Sequence, residues 1–459
     1  MSLKDLRGEP VSASDRRSLD RFEHALGLLN GYFADPLAAI DEALEENPGF
    51  VMGHCLRGAL MLMAAEKSAE PELRRSVEAA EALAGSANGR ERGHVAALRS
   101  WLDGDFHRAG ELYGEVLLEH PRDLLALQVA HQVDFFIGNT ALLRDRPARV
   151  LPQWDAATPG YGYVLGMHAF GLEENNMFRR AEEAGRHAVE LTPRDPWAIH
   201  AVAHVMEMEG RLGDGIRWMT KRVDDWAPDN MLAVHNWWHL ALYHLDHGQP
   251  DRTLAIYDEH IRPRPGGPAI ELVDATSMLW RLHLRGIDVG DRWEPVADAW
   301  EPMAEDGYYA FNDMHAMMAF VGAGRDHAAR RLLVVLNRRA AGTGSNAAMT
   351  REVGLKVCSA IRAFADGFHD IAIDLLTQAR AVSHRFGGSN AQRDVITLTL
   401  IEAALRGGRA KLARALAAER IDLKPSSPFN WALAARALDG AGDAAAAGRA
   451  RQRMARMQA

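Results

Sequence analysis

Residues 230–253 read NMLAVHNWWHLALYHLDHGQPDRT: an apolar helix runs up to Gly248, and a second helix follows with Thr253 five positions later. Ten small residues, nine of them Gly, stand at such a helix-to-helix turn, and in eight cases a second small residue follows five positions on. The ten are Gly104, Gly138, Asn176, Gly210, Gly248, Gly286, Gly324, Gly367, Gly408 and Gly442. Their spacing of 34 to 43 residues fits two helices with two turns and predicts a helical solenoid.

Other positions of the repeated unit agree with the tetratricopeptide template, in which the Gly lies between helix A and helix B. Six of the ten residues seven positions before the turn are Ala, and small residues there let two helix axes approach closely. Pro121, Pro193, Pro265 and Pro425 each stand 17 residues after a turn, where a proline ends helix B. The sequence therefore predicts an all-α fold: a tetratricopeptide-like α-solenoid, a right-handed superhelix of helix-turn-helix repeats that is strongly curved or closed.

The repeats predict one helical body rather than the about three domains that a chain of this length ordinarily suggests. We expect a polar N-terminal tail over residues 1–18, a single repeat domain over residues 19–443 and a terminal capping helix over residues 444–459. Ahead of the first repeat turn, Asp35–Pro48 is predicted to be a helix that ends at its proline. Val51–Lys67 and Glu70–Leu83 are predicted to form the next helical pair.

Net charge and cysteine content limit which classes of partner and which cellular compartment are expected. The net charge is −9 and the chain has no run of Lys and Arg, so we expect no nucleic-acid partner and no membrane partner. Cys55 and Cys358 are the only cysteines, which excludes a disulfide framework and fits a reducing environment. The N-terminal residues are unlike a signal peptide, and no apolar run approaches the roughly 20 residues of a membrane span. A cytoplasmic location is predicted.

Histidines are the residues with the clearest chemical pattern: the chain has 20, and several fall on the face of helix A that lines the concave side of a tetratricopeptide superhelix. His200, His204 and Glu207 follow one another on one helix A. His235 and His239 lie four positions apart on the next helix A. Spacings of three and four place side chains on one stripe of a helix. The sequence therefore predicts that two consecutive units direct four imidazoles and a carboxylate into one hollow.

Three interpretations of this cluster are open. The first is a divalent transition-metal site, for Zn²⁺ or Fe²⁺, with all four histidines as ligands. The second is a metal-free pocket in which His200, His204, His235 and His239 act as acid, base or hydrogen-bond donor, and Glu207 orients an imidazole. The third is structural, with the imidazoles bonded across neighbouring helices. Zinc-protease signatures place a Glu within the His pair, where alanine and valine stand here.

Further polar and aromatic residues are predicted on the same concave face. Trp238 stands next to His239 and is suited to stack on a ligand. Asp313 and His315 belong to a later helix A, and both are predicted ligand-binding residues. Asp274 lies on the helix A before it. For an isolated acid such as Asp313, a solvated helix face is an equally good explanation.

The segment Gly387–Asp394 (GGSNAQRD) has a local explanation. Its glycines end one helix, and Ser389 with Gln392 three positions later matches the capping box of the next helix. The cap does not require Arg393, which can bind a carboxylate or phosphate through two parallel hydrogen bonds. Asn390 and Arg393 are therefore predicted to bind a ligand, with Arg393 anchoring an anionic end.

Six blocks of sequence carry a resemblance to a known family. They are VMGH (51–54), HAVAHVMEM (200–208), NMLAVHNWWHLALY (230–243), IYDEHI (256–261), FNDMH (311–315) and GGSNAQRDV (387–395). Together, and in this order, they resemble the tetratricopeptide repeat protein 38 family from about residue 20 to about residue 430. The resemblance implies an intracellular helical-repeat protein and supplies a fold with no established reaction.

The leading functional prediction is a His-rich concave pocket that binds a small polar metabolite or a short peptide. Such a pocket is suited to acid/base or metal-assisted hydrolysis of its ligand, and the sequence leaves open whether the protein is an enzyme. The alternative is a scaffold that binds an extended peptide or a protein partner along an open groove, without chemistry. Carboxylate clamps of Lys, Arg and Asn are sparse in this chain, which favours the pocket.

Overall fold

Helices account for nearly all regular structure in the computed structural model, which describes residues 3–13, 15–262 and 264–458. Two short strands, Leu3–Lys4 (β1) and Pro10–Val11 (β2), pair in antiparallel fashion. The predicted all-α fold is confirmed. Ala459, the last residue of the predicted capping helix, lies outside the described residues.

The α-helices follow one another with short connections. The first thirteen are α1 (Arg16–Gly31), α2 (Pro36–Glu46), α3 (Val51–Met63), α4 (Glu70–Ala82), α5 (Gly89–Leu102), α6 (Phe106–Glu119), α7 (Leu124–Phe136), α8 (Thr140–Val150), α9 (Tyr161–Glu174), α10 (Phe178–Leu191), α11 (Pro196–Met208), α12 (Leu212–Lys221) and α13 (Val223–Trp226). The next are α14 (Ala233–Asp246), α15 (Pro250–Ile256), α16 (Ala269–Leu284), α17 (Trp293–Trp300), α18 (Ala310–Gly322), α19 (Asp326–Ala340), α20 (Ser345–Met349), α21 (Leu355–Ala365), α22 (His369–Arg380), α23 (Asn390–Arg406), α24 (Ala410–Leu423), α25 (Pro428–Gly440) and α26 (Ala444–Gln458). Tyr257–Ile261 and Thr350–Gly354 are π-helical turns.

The repeat turns have the backbone conformation that their residue types predict. All ten turn residues have positive φ, 58° at Asn176 and 67° to 88° at the nine glycines. Glycine enters this left-handed region without steric cost, and Asn is among the residues that best replace it there. Each turn joins a helix A to its helix B, as Gly248 joins α14 to α15.

Close approach of the two helices explains the second small residue of each repeat. Five positions after the turn, nine of the ten residues are buried, and Asp291 is exposed. At Gly215 of α12, an added Cβ would lie 2.2 Å from the ring of Tyr243 on α14. At Gly215 a small side chain is therefore required by the packing of neighbouring helices.

The chain divides into two compact units. The first consists of Met1–Val202, Val223–Ala233 and Gly344–Asn346, and the second of Ala203–Arg222, Val234–Thr343 and Ala347–Ala459. Residues 19–443, predicted as one repeat domain, are thus shared between the two units, and α11 begins in the first and ends in the second. The right-handed superhelix stays a prediction.

The N-terminal segment differs from the predicted polar tail. Within the first unit, the hairpin of β1 and β2 carries Asp5 and Arg7, which are 6% and 6% exposed. Arg7 donates to Glu23 on α1 at 2.8 Å, and Arg90 on α5 lies 3.2 Å from Asp5. Buried ion pairs therefore hold this segment against the helices of the unit.

Strong curvature is present within the second unit, where helices far apart in sequence contact each other. The helix α16 packs against α18 and also against α23. Trp280 of α16 donates from Nε1 to Thr399 Oγ1 of α23 at 3.0 Å, across 119 positions of sequence. This contact between the A helices of distant repeats encloses their inward-facing side chains. Among the described residues, no helix combines the length and apolar character needed to cross a membrane.

Candidate functional site

Three of the predicted histidines meet inside the second unit. His204 lies near the end of α11, and His235 and His239 lie one turn apart on α14. The ring centroids of His204 and His239 are 4.4 Å apart, and those of His235 and His239 are 4.9 Å apart. One ring nitrogen of each lies within 4.8 Å of the others. His204 and His239 are fully buried, so the three rings form a compact, solvent-shielded group of nitrogen ligands.

Two of these rings are each bonded to a carboxylate. His235 Nδ1 lies 2.9 Å from Asp274 Oδ2, and His239 Nδ1 lies 2.9 Å from Glu207 Oε2. A carboxylate accepts hydrogen bonds, so each Nδ1 carries the proton and each Nε2 carries the lone pair. Burial raises the pKa of Glu207, while the charges of Lys424 and His204 oppose that shift. Metal-binding histidines typically have this arrangement, with the far nitrogen hydrogen-bonded to a carboxylate.

Trp238 is enclosed by protein groups, not exposed to an open groove. Its ring is fully buried and stacks on His235, with centroids 5.4 Å apart and planes at 11°. Its Nε1 donates to Ser277 Oγ at 2.8 Å. The guanidinium carbon of Arg281 lies 5.2 Å from the ring centroid. α16 therefore covers Trp238, and its predicted role of stacking on a ligand stays a prediction.

Arg281 is the residue of this region that sequence reasoning missed. It lies on α16, is 3% exposed, and donates to the backbone oxygens of Ser277 at 3.2 Å and Ala391 at 2.7 Å. Burial lowers its pKa, and the charges of Asp394 and Glu207 oppose that shift. An Arg inside the apolar run MLWRLHL, residues 278–284, was the available signal.

His200 lies one helical turn before His204 on α11 but belongs to the first unit. Within that unit its ring stacks on Phe170 at 5.5 Å between centroids and lies 4.9 Å from that of Trp197. It is 1% exposed. The predicted role of His200 as a catalytic residue or metal ligand stays a prediction.

Asp313 and His315 of α18 are buried residues of the second unit. Burial raises the pKa of Asp313 to about 7. His315 Nδ1 donates to the backbone oxygen of Phe311 at 2.8 Å, and its Nε2 has no hydrogen-bond partner among the described residues. Burial lowers the pKa of His315 to about 3, with the charge of Arg281 adding to the effect. The imidazole of His315 is therefore neutral at pH 7 and offers a free acceptor nitrogen.

The loop before α23 forms the predicted capping box. Ser389 Oγ accepts from the backbone N–H of Gln392, and the Gln392 side chain accepts from the backbone N–H of Ser389. Arg393 donates to the backbone oxygen of Gly388 and, at 2.8 Å, to Asn390 Oδ1. Asn390 and Arg393 thus bond to each other within the loop. These bonds compete with the predicted use of Arg393 as an anchor for an anion.

Comparisons with known proteins give short or distant similarities. No family model matches the chain. Cellulose synthase operon protein C of Komagataeibacter sucrofermentans is 32% identical over 111 residues, and cellulose synthase 1 operon protein C of Komagataeibacter xylinus is 31% identical over 116 residues. These matches cover 24% and 25% of this chain, and they span only 8% and 9% of the length of those relatives.

Solved structures with similar helices are more distant. A human IFIT1 dimer with m7Gppp-AAAA has a TM-score of 0.41 and 13% identity, covering 98% of this chain and 96% of the other. Naa15/Naa10 bound to HypK-THB has a TM-score of 0.24 and 12% identity, covering 81% and 64%. With the repeat turns described above, the chain is a helical-repeat protein of the tetratricopeptide type.

Proposed function

We propose that the second unit binds a divalent transition metal, Zn²⁺ or Fe²⁺, through His204, His235 and His239, and that this centre acts on a small polar ligand. The observation that carries the proposal is the pair of carboxylate–histidine contacts, His235 with Asp274 and His239 with Glu207, both at 2.9 Å. They fix the tautomer of two rings and direct the Nε2 lone pairs away from the carboxylates. A purely structural pair of histidines does not need two such arrangements within one 4.8 Å group.

The donor set fits such a metal. Imidazole nitrogen is a good ligand for zinc and iron, and catalytic zinc sites commonly use three protein ligands with one position left open. A metal bound there would polarise a carbonyl group or lower the pKa of a bound water. Glu207 is the protein group suited to take up and return a proton, because burial raises its pKa and it lies on the same helix as His204.

Burial of the group favours a small ligand over an extended peptide. A groove that binds a peptide without chemistry presents exposed side chains, whereas His204, Trp238 and His239 are all fully buried. At these buried side chains the scaffold alternative therefore has no exposed surface on which a peptide would bind. A metal-free pocket that uses the same histidines as acid or base is the nearest rival proposal.

The remaining expectations are part of the same proposal. Six sequence blocks support membership of the tetratricopeptide repeat protein 38 family. The net charge of −9 and the two unpaired cysteines support a cytoplasmic protein that binds a small molecule or short peptide and neither nucleic acid nor membrane. A protein partner on another surface is compatible with the helical-repeat architecture.

Elemental analysis tests the metal directly. Protein purified without a His tag, and then dialysed against Zn²⁺ or, without oxygen, Fe²⁺, is expected to retain about one equivalent of one metal. The double variant His235→Ala/His239→Ala is expected to lose it. His244→Ala is the matched control, since His244 lies on the same helix, bonds Gln249, and is expected to change nothing.

Folding is followed in the same samples by circular dichroism and thermal unfolding. If the double variant unfolds, the variant His235→Gln/His239→Gln is used in its place, because glutamine keeps the polarity and approximate size of the histidine side chain. A folded wild-type protein that retains neither metal after dialysis contradicts the metal proposal. Equal metal in wild-type and double-variant proteins contradicts the assignment of these residues.

A further inference from the structure

The charge of Arg281 has no carboxylate partner of its own. Among the described residues none forms an ion pair with its guanidinium, which instead donates to the backbone oxygens of Ser277 and Ala391. The acids whose charges act on it are each bonded to another residue: Asp394 to Arg420 at 3.0 Å, Asp246 to Arg285 at 2.5 Å, and Glu207 to His239 at 2.9 Å. A guanidinium that is 97% buried with no carboxylate bonded to it directly is costly, because burial of a charge requires compensation.

The amino-terminal end of a helix lies next to Arg281. The oxygen of Ala391 that it contacts belongs to the first turn of α23, a helix of 17 residues with no acidic residue in that turn. The amino-terminal end of a helix carries a partial positive charge and favours anions. Arg393, in the same turn, brings a second guanidinium to this end. Arg281 thus lies against the amino-terminal turn of α23 in the interior of the second unit.

The charge of the same guanidinium acts on His315, a residue with a buried hydrogen-bond acceptor. His315 Nε2 is buried and lacks a partner among the described residues, and the charge of Arg281 acts on the His315 ring. Trp238 links this region to the candidate metal centre, because its ring contacts both Arg281 and His235.

We infer that Arg281 binds the anionic group of the ligand, and that the ligand is a small organic acid, a carboxylate that also carries a hydroxyl or amino group. Resting on the proposed function, this inference names the substrate class of that site. The guanidinium pairs with the carboxylate, the His315 nitrogen accepts from the hydroxyl or amino group, and the rest of the molecule extends past Trp238 toward the histidines. A phosphate group has the same charge chemistry, and the experiment distinguishes the two.

Thermal unfolding with added anions tests the inference. The melting temperature of wild-type protein is measured in sodium glycolate, sodium acetate, sodium phosphate and sodium chloride at equal ionic strength. Glycolate is expected to stabilise most, acetate less, and chloride not at all. Arg281→Lys keeps the charge but loses the planar pairing geometry, and the apparent glycolate affinity is expected to fall at least tenfold. Arg285→Lys, at the residue that directly follows the same helix, is the matched control and is expected to bind as wild type.

Each outcome has a defined meaning. Stabilisation by phosphate alone replaces the organic acid with a phosphorylated ligand, and no stabilisation beyond chloride overturns the inference. If Arg281→Lys does not fold, a crystal of wild-type protein grown in glycolate decides the question: a glycolate carboxylate is expected at the guanidinium, and a guanidinium without it overturns the inference. Metal content is measured separately. Glycolate binding without metal contradicts the metal proposal, and metal binding without glycolate binding contradicts the inference about Arg281.

Discussion

His235 Nδ1 lies 2.9 Å from Asp274 Oδ2, and 39 positions of sequence and a helix B separate the two residues. The two residues lie on consecutive A helices, α14 and α16. The contact fixes the orientation of the ring and, because the carboxylate accepts from Nδ1, places the lone pair on Nε2. A carboxylate in this position also holds the ring in the orientation that a metal ligand needs.

Replacing Asp274 by Asn is expected to weaken metal binding without removing a metal ligand. The amide keeps the size and one acceptor oxygen but loses the negative charge, and changes of this kind typically cost 10-fold to 100-fold in metal affinity. Competition with a chelator of known zinc affinity measures the change. Asp258→Asn, which removes a surface ion pair with Arg292, serves as the control. Unchanged affinity in Asp274→Asn contradicts an orienting role for Asp274.

The stability of the protein is expected to depend on pH through Asp313. Burial raises the pKa of this carboxyl in the folded state to about 7, whereas an unfolded Asp has a pKa of about 3.9. Between these values the folded protein binds more protons than the unfolded chain. The contribution of Asp313 is therefore fully present below pH 4 and is lost as the pH rises to 7.

Asp313→Asn removes this titration. The variant is expected to lose less stability than wild type between pH 4 and pH 8, by about 2–4 kcal/mol. Urea unfolding at several pH values measures the difference between the two proteins, so that contributions from other groups cancel. Asp291→Asn, at an exposed position of the same unit, is expected to follow the wild-type curve. Parallel curves for Asp313→Asn and wild type contradict the raised pKa.

The repeat turns were predictable from sequence because each imposes a local requirement on a residue type. A left-handed backbone at Gly324 and a close helix approach at Gly215 each select glycine, which can be recognised in the sequence. The contact of Arg281 with its partner selects no residue type that the sequence would show. Ala391 lies 110 positions away, and the contact depends on how far the second unit curves, which no periodic pattern encodes.

The placement of residues in the candidate site was also predictable from the sequence, but the pairing of their side chains was predictable only in part. Helical spacing alone placed His235 and His239 on one stripe, and the structure brings His204 to them. The hydrogen bond between His239 and Glu207 could be anticipated from neighbouring units, and Glu207 was assigned the task of orienting an imidazole. Arg393 was predicted as an anion anchor because the cap does not need it, but the loop itself occupies the guanidinium. Side-chain pairing depends on distances of a few ångström, which residue spacing does not provide.

Removing one charge from the buried ion pairs of the first unit is expected to destabilise it strongly. Asp123 is fully buried, accepts from Arg90 Nε at 2.5 Å, and bonds His94 Nε2 at 2.7 Å. Asp123→Asn leaves the guanidinium with the more distant Asp5, at 3.2 Å, as its acidic contact. Breaking a buried pair by removing one charge costs about 3–5 kcal/mol. Glu81→Gln, which breaks a partly exposed pair with Arg99, is the control and is expected to cost at most about 1 kcal/mol.

Two glycines of the repeat separate the cost of a backbone conformation from the cost of a steric clash. Gly324 has φ of 67°, and an added Cβ there would meet no atom within 4 Å. Gly324→Ala is therefore expected to cost about 1–2 kcal/mol, the penalty for a left-handed alanine, and Gly324→Asn less. At Gly215 the backbone is not left-handed, but the added Cβ would lie 2.2 Å from the ring of Tyr243.

The Tyr243 ring has no freedom to move away, because its hydroxyl donates to the backbone oxygen of Ala203 and the side chain is fully buried. Gly215→Ala is therefore expected to cost about 3 kcal/mol or more, in the upper range for an overpacked core. The further change Tyr243→Phe frees the ring from that hydrogen bond. In this background the cost of Gly215→Ala is expected to fall, while the cost of Gly324→Ala stays the same. Urea unfolding of the three single variants and the two double variants, beside the wild type, measures both costs in both backgrounds. Equal costs at Gly215 and Gly324 in the wild-type background contradict the claim that close helix contact, as well as turn geometry, selects small residues in this repeat.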